Sequence, residues 1–147
     1  MRISQLSACL LSLGATMLPA IAWAAPQPAT FGFDDAPGIQ GCGGVASLAG
    51  AAPWSDPIYA AWDYSTASSK AHLVLKLNNQ IERYPAMRQV GAGTITYTAN
   101  PPGSSVSLSF PSSSDGHQSV GGSGSLLLLA PGDSSPLTIS VLAVEGC

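Results

Sequence analysis

Apolar and polar residues alternate most clearly in the C-terminal half of the chain. Residues 94–99 read Thr-Ile-Thr-Tyr-Thr-Ala, and residues 104–110 read Ser-Ser-Val-Ser-Leu-Ser-Phe. A period of two places every second side chain on one face of a strand, so both segments are predicted to be half-buried strands. The intervening Asn-Pro-Pro-Gly of residues 100–103 has Pro and Gly where a type II turn needs them. Residues 125–130 and 137–144 are predicted to form two further strands.

A hairpin is predicted around Asn78-Asn79. Before it, residues 71–77 place Ala71 and three leucines on one face, with Val74 interrupting the polar set on the other. Asn residues tolerate the left-handed backbone that tight hairpin turns require. A two-residue turn would pair Leu75 with Glu82 and mix apolar with polar faces, whereas a three-residue loop relieves this only in part. The pattern therefore predicts the turn and leaves its register open.

Residues 58–64 fit two secondary structures. As a strand, they place Ile58, Trp62 and two other residues on one face. As a helix, they would be capped by Asp56, with Pro57 in the first turn. We favour the strand, because the Ser-rich residues 65–69 that follow are typical of a turn.

Together these segments predict an all-β protein of six to eight short strands. A small antiparallel β-sandwich, immunoglobulin-like in the broad sense, fits the spacing of strands and turns best, and a small β-barrel is the alternative. We expect one β-rich domain over residues 42–147. The Pro- and Gly-containing residues 25–41 form an extended N-terminal lead-in to it.

The N-terminus has the pattern of a secretory signal peptide. Arg2 precedes an apolar stretch over residues 6–21, and Ala22-Trp23-Ala24 provides a small-x-small cleavage site. This order is what a signal peptidase requires. We therefore expect residues 1–24 to be removed, leaving no membrane span, and the protein to be exported to the periplasm or secreted.

Two cysteines, Cys42 and Cys147, follow the predicted cleavage site. An oxidising compartment would join them, and two cysteines allow a single intramolecular pairing. Neither cysteine belongs to a CxxC motif, which argues against a metal or redox pair. We predict a disulfide that closes a loop of about a hundred residues and stabilises the fold by on the order of 4–5 kcal/mol.

The charge of the chain excludes one class of partner. After the signal peptide, eight acidic residues outnumber four basic ones, a net charge of −4. So few cations cannot form the basic surface that nucleic-acid binding requires. Charged residues make up 9% of the chain, against roughly 25% in ordinary domains. The resulting Ser- and Thr-rich surface is typical of a cell-envelope or secreted protein that acts by binding or assembly, which is the function we expect, with an unidentified protein or glycan as partner.

Catalytic and metal-binding patterns are weak. Residues 121–125, Gly-Gly-Ser-Gly-Ser, resemble a nucleophile elbow, but an elbow needs a helix after the serine, and Ser123 leads into a predicted strand. His72 and His117 are too far apart in sequence to suggest a zinc motif. Asp115-Gly116 is more typical of a turn than of a calcium site. We therefore expect no catalytic residues, metal or cofactor; an enzyme of unrecognised type remains an alternative.

An aromatic cluster offers the one candidate ligand site. Trp54, Tyr59, Trp62 and Tyr64 lie close in sequence to Asp56 and Asp63. Aromatic faces beside carboxylates are suited to binding sugars, and Trp54 lies in a predicted loop where it would be exposed. A small core needs large apolar side chains, so Trp62 is expected to be buried. A carbohydrate-binding module that uses Trp54 and Tyr59 is thus the alternative to a protein-binding function.

Overall fold

The computed structural model describes Gly14, residues 26–112 and residues 119–147. Nine β-strands and one 3-10 helix form within these residues. The strands are β1 (Pro28–Ala29), β2 (Gly43–Leu48), β3 (Ile58–Tyr64), β4 (Lys70–Leu77), β5 (Gln80–Gly91), β6 (Thr94–Ala99), β7 (Ser105–Pro111), β8 (Ser119–Leu129) and β9 (Leu137–Gly146). The 3-10 helix spans Phe33–Asp35. The predictions for residues around Asp115 and His117 lie outside the described part of the chain.

Eight of the strands close into an antiparallel barrel, and β1 lies outside it. The strand order is β1-β4-β3-β2-β9-β8-β7-β6-β5, and β5 pairs again with β4. The all-β prediction is confirmed, and the architecture is the alternative, a small barrel, rather than a sandwich. The reason is the length of β5, whose first part pairs with β4 up to Met87 and whose second part pairs with β6 from Ala86 onward. One strand thereby joins both ends of the sheet and leaves no open edge.

The two local ambiguities of the sequence are settled by β3 and by the β4–β5 hairpin. Residues 58–64 form a strand, as favoured. The hairpin has the two-residue turn, with Asn78 and Asn79 at φ values of 50° and 65°, and Leu75 pairs with Glu82. Both asparagines have the positive φ that a type I′ turn requires. The mixed pairing is tolerated because Glu82 is exposed at the end of the barrel.

The barrel interior is filled by side chains that the alternation predicted to point inward. Trp62, Tyr97 and Phe110 form its centre, with ring centroids 5.3–6.2 Å apart. Gly44 is paired with Trp62 across the sheet, and a Cβ at Gly44 would lie 2.4 Å from the indole ring. The glycine therefore provides the space in which the tryptophan packs. The other buried members of this core are Ala46, Ala60, Ala71, Leu73, Leu75, Leu77, Ile95, Ala99, Val106, Leu108, Leu126, Leu128, Val141 and Ala143.

A second, smaller core lies on the outer face of β2, β3 and β4. There the N-terminal segment, residues 26–41, covers the apolar residues of the barrel wall; the buried set is Phe31, Val45, Ile58, Ala61, Val74 and Val144. Phe31 exchanges two backbone hydrogen bonds of 2.9 Å with Ile58. This outer layer explains why Val74 interrupts the polar face of β4: its side chain is fully buried beneath the segment.

The predicted disulfide joins Cys42 to Cys147, which confirms the pairing. The Cα atoms lie 4.1 Å apart, slightly below the usual lower limit of about 4.4 Å. The neighbouring residues Gly43 and Gly146 are partners in the β2–β9 ladder. The bridge thus ties the end of the N-terminal segment to the end of the last strand. Within the described residues, no helix has the length and apolar character needed to cross a membrane.

Candidate functional site

A surface pocket of about 320 Å³ lies on the outer face of β2 and β9, beside the disulfide. We call it the aromatic pocket; it is lined by Phe33, Ile39, Gly41, Gly43, Gly44, Trp54, Gly146 and Cys147. Phe33 and Trp54 are 42% and 49% exposed. Large aromatic side chains are normally buried, so two half-exposed rings at one pocket distinguish this surface from the rest of the barrel.

Hydrogen bonds within the β2–β3 loop hold Trp54 in place. Trp54 has a φ of 61°, a left-handed conformation that is uncommon for a non-glycine residue. Next to it, the Ser55 hydroxyl donates to the Ala52 carbonyl at 2.6 Å. The buried Ser47 hydroxyl of β2 donates to the Ser55 carbonyl, also at 2.6 Å. These bonds anchor the loop to the barrel wall and fix the backbone that presents the indole.

The 3-10 helix positions Phe33. Its backbone N–H donates to the Asp56 carboxylate at 2.9 Å. Asp56 belongs to the same loop as Trp54, two residues further on. A hydrogen bond thus links the segment that contains Phe33 to the loop that contains Trp54, so the positions of the two aromatic residues depend on each other.

Glycines form the floor of the aromatic pocket. Gly43 and Gly146 face each other across the β2–β9 ladder. A Cβ at Gly43 would lie 2.3 Å from the Trp62 carbonyl oxygen, so the close approach of β3 accounts for that glycine. The lining of the pocket thus combines a patch of sheet without side chains with the two aromatic residues, and it includes no charged side chain.

Of the two residues predicted to bind a sugar, the structure places Trp54 at this pocket and Tyr59 elsewhere. Tyr59 is partly buried and packs against the barrel core. It lies at a register shift, where Ala46 pairs with Ala60 and Ser47 with Ile58, so Tyr59 itself has no partner in β2. Phe33, which the sequence analysis did not select, is the second aromatic residue of the pocket.

A second pocket, of about 380 Å³, contains most of the accessible positive charge. We call it the cationic pocket; it is lined by Gly38, Gln40, Asp63, Tyr64, Ser65, Lys70, His72 and Arg83. Arg83 donates to Asp63 at 2.7 Å and to the Gly38 carbonyl at 2.8 Å. His72 Nδ1 lies 3.0 Å from the other oxygen of Asp63. The carboxylate is 11% exposed, whereas the His72 and Arg83 side chains are 42% and 33% exposed.

The Asp63–His72 pair resembles the acid and base of a hydrolytic triad, but within residues 26–112 and 119–147 no hydroxyl or thiol is hydrogen-bonded to His72. Arg83 lies 2.8 Å from the same Nδ1 atom that faces Asp63. One nitrogen cannot both donate to Asp63 and accept from Arg83, so only one of these two contacts of His72 is a hydrogen bond, whereas Arg83 pairs with Asp63 in either case. The Ser65 hydroxyl accepts from the Ala67 N–H at 3.1 Å, and no hydrogen bond joins it to His72. This cluster is therefore centred on the Asp63–Arg83 ion pair, in which the Arg83 side chain is more exposed than the carboxylate.

The barrel also encloses a charged network that the sequence analysis missed. Glu145 is fully buried and accepts hydrogen bonds from Arg88, from the Tyr97 hydroxyl and, at 3.2 Å, from the Trp62 indole N–H. Arg88 also donates to the Tyr97 hydroxyl at 2.9 Å and lies 4.3 Å from the centre of the Tyr64 ring. This network joins β3, β5, β6 and β9 across the inside of the barrel.

Burial and the Glu145 carboxylate shift the pKa values of the network. Burial, followed by the hydrogen bond to Glu145, raises the pKa of Tyr97 far above its ordinary value. Burial and the Glu145 charge also raise the pKa of Tyr64. For Arg88, burial alone would lower the pKa, but the hydrogen bond and charge of Glu145 outweigh it and raise the pKa. These groups therefore keep their protons throughout the physiological range.

One sequence signal could have identified Glu145. It continues the inward series of Val141 and Ala143 in β9, so a period of two places it inside the barrel. The same rule places Arg88 on the inner face with Tyr84 and Ala86. No comparable signal exists for the contact between Asp63 and Arg83, which are twenty residues apart.

Among the described residues, no group of His, Cys, Asp or Glu side chains is arranged to hold a metal ion. The chain matches no family model, no curated protein and no solved structure. What the protein binds must therefore be inferred from geometry and charge, and the aromatic and cationic pockets carry that inference.

Proposed function

We propose that the protein is an exported, non-enzymatic binding protein whose aromatic pocket holds a saccharide. The observation that supports this proposal is the pair of half-exposed rings, Phe33 and Trp54, above a floor of glycines. A sugar ring has an apolar face of C–H groups, which packs on flat aromatic side chains. The glycine floor allows the ring to approach the sheet closely, and a volume of about 320 Å³ is within the range of small-ligand sites.

Two carboxylates lie near Phe33 but outside the lining of the pocket, where they could accept from the hydroxyl groups of a ligand that extends beyond it. Oxygens of Asp35 and Asp56 lie 3.3 and 3.8 Å from the position of a Cβ on Gly32, next to Phe33. Carboxylates accept strong hydrogen bonds from hydroxyl groups. Aromatic rings for the apolar face and acceptors for the hydroxyls are the two contacts that a sugar requires.

Tryptophan fluorescence tests this proposal directly, because Trp54 is exposed and Trp62 is fully buried. Titration with the saccharides that bind on a glycan array should change the emission of the exposed indole. Trp54→Ala and Phe33→Ala should each weaken binding by about thirtyfold or more, since loss of an anchoring aromatic residue costs at least about 2 kcal/mol.

Leu137→Ala is the matched control for these variants. Leu137 has the same 49% exposure as Trp54 but does not line the aromatic pocket. Its replacement should leave binding unchanged. Affinity that survives in both Trp54→Ala and Phe33→Ala would refute the site, and binding to no saccharide would refute the ligand class.

The outer face of β6–β9 supports a second candidate function, assembly through a low-charge β surface. Strands β6, β7 and β8 contain no charged residue, and Glu145 of β9 points into the barrel. The outward-facing Ser and Thr residues of neighbouring strands lie side by side. One such pair is Thr96 and Ser109, whose hydroxyls lie 3.1 Å apart. Light scattering after size-exclusion chromatography should then show oligomers that Ser107→Glu dissociates. A monomer at high concentration would exclude assembly.

A further inference from the structure

We infer that the ligand of the aromatic pocket is an acidic oligosaccharide, whose carboxylate is held by Lys70 and Arg83 in the cationic pocket. This inference rests on the proposed function and specifies the chemical class of its ligand. It is carried by the position of the two pockets and by the distribution of charge around them.

The two pockets share one wall. Residues 38–41 run between them, and successive residues line alternate pockets: Gly38 and Gln40 line the cationic pocket, whereas Ile39 and Gly41 line the aromatic pocket. The pockets therefore lie on either side of this one stretch of chain, which turns at Gly38 and Gly41, with φ values of 69° and 76°. A ligand that reaches both must cross this ridge, which an oligosaccharide can do and a single sugar ring cannot.

The positive charge is concentrated on one side of this ridge. Four basic residues follow the predicted signal peptide. Arg88 is used inside the barrel, and Lys76 lies outside both pockets. The remaining two, Lys70 and Arg83, line the cationic pocket together with His72. Two of the three basic side chains on the outer face of the barrel, Lys70 and Arg83, thus lie in one pocket that borders the aromatic pocket.

The ion pair with Asp63 does not neutralise this surface. Asp63 is 11% exposed, so it lies beneath the cations that it binds, and Arg83 remains 33% exposed. Among the described residues, no carboxylate lies within ion-pair distance of the exposed Lys70 ammonium. A purely structural role would account for Arg83, which also holds the Gly38 carbonyl, but not for Lys70. A ligand carboxylate would give Lys70 a partner of opposite charge and would bind both Lys70 and Arg83 through charge-assisted hydrogen bonds.

The test compares acidic saccharides with neutral forms of the same molecules. Each uronic-acid oligosaccharide on an array is placed beside its carboxyl-reduced counterpart, and the oxidised protein is applied to both. We expect the acidic form to bind about tenfold more tightly. Lys70→Gln should remove most of this preference without changing affinity for the reduced form.

Lys76→Gln is the matched control, because Lys76 lies on the outward face of the same strand but outside both pockets. It should leave the preference intact. If the acidic and reduced forms bind with equal affinity and Trp54→Ala abolishes both, the ligand is not specifically acidic, and the proposal of an aromatic saccharide site is retained. Binding that is insensitive to Trp54→Ala, or absent for every saccharide, would overturn the proposed function and this inference with it.

Discussion

The buried ion pair between Arg88 and Glu145 makes a specific prediction about stability. Removing one partner alone should destabilise the barrel as much as, or more than, removing both. The variants are Arg88→Met, Glu145→Gln and their combination. Glutamine keeps an oxygen that can accept from the Trp62 N–H and the Tyr97 hydroxyl, so the variants change charge more than hydrogen bonding.

The size of the expected loss in stability follows from the burial of the two side chains. Arg88 is 20% exposed and Glu145 is 1% exposed. Leaving one member of a buried pair costs about 3–5 kcal/mol. The lower end applies here, because Arg88 retains some solvent contact and lies over the Tyr64 ring. We expect each single variant to lose about 3 kcal/mol and the double variant no more than about 3 kcal/mol, a coupling energy of roughly 3 kcal/mol.

Urea unfolding of the oxidised protein at neutral pH measures these differences, with the buried Trp62 as the fluorescent probe. Lys76→Met is the control for loss of a positive charge on the outer face and should change stability by less than about 0.5 kcal/mol. If the effects of the two single variants add in the double variant to within about 0.5 kcal/mol, the pair is not coupled and the reasoning fails.

Three further predictions concern the bridge, a core glycine and a buried tyrosine. Replacing Cys42 and Cys147 by alanine opens a loop of 105 residues. It should lower the free energy of unfolding by up to about 4–5 kcal/mol and leave the circular dichroism spectrum unchanged. Equal stability of the variant and the oxidised protein would contradict this prediction. Gly44→Ala should cost more than about 2 kcal/mol in urea unfolding because its Cβ would clash with an indole, whereas Gly91→Ala, in open space, should cost nothing. Because burial raises the pKa of Tyr97 above its ordinary 10.0, the unfolded chain loses this proton first, so stability should fall as pH rises above about 10. Urea midpoints should show a smaller fall in Tyr97→Phe; an unchanged fall would contradict it.

The strands that alternation predicted were found because a half-buried strand has apolar residues at every second position, and this period is visible in the sequence. Residues 94–99 form β6, and residues 105–110 of the second predicted strand lie in β7, with every second side chain buried as expected. The closure of the barrel could not be predicted in this way. It depends on β5, whose inner face includes Arg88 and whose sequence contains Pro85. Pro85 pairs only with β4, just before the pairing with β6 begins, so a residue that usually ends a strand is accommodated in a long one.

The candidate site was predictable only where local sequence decides exposure. Trp54 is flanked by Pro53 and Ser55 in a loop, and its predicted exposure is observed. Its partner Phe33 is brought to it by a hydrogen bond to Asp56 between segments that are distant in sequence. Such a contact is a property of the folded chain and has no periodic signal.

The N-terminal segment connects these observations. It adds to the barrel only β1 and a single bridge at Phe31, yet it supplies Phe33 and Ile39 to the aromatic pocket and Gly38 to the cationic pocket. The barrel wall beneath it is held together by the inner core and by the buried ion pair between Arg88 and Glu145. At its end, Cys42 is bound covalently to the last strand. Since residues of this segment line both pockets, the disulfide that holds its end maintains the two pockets as well as the stability of the fold.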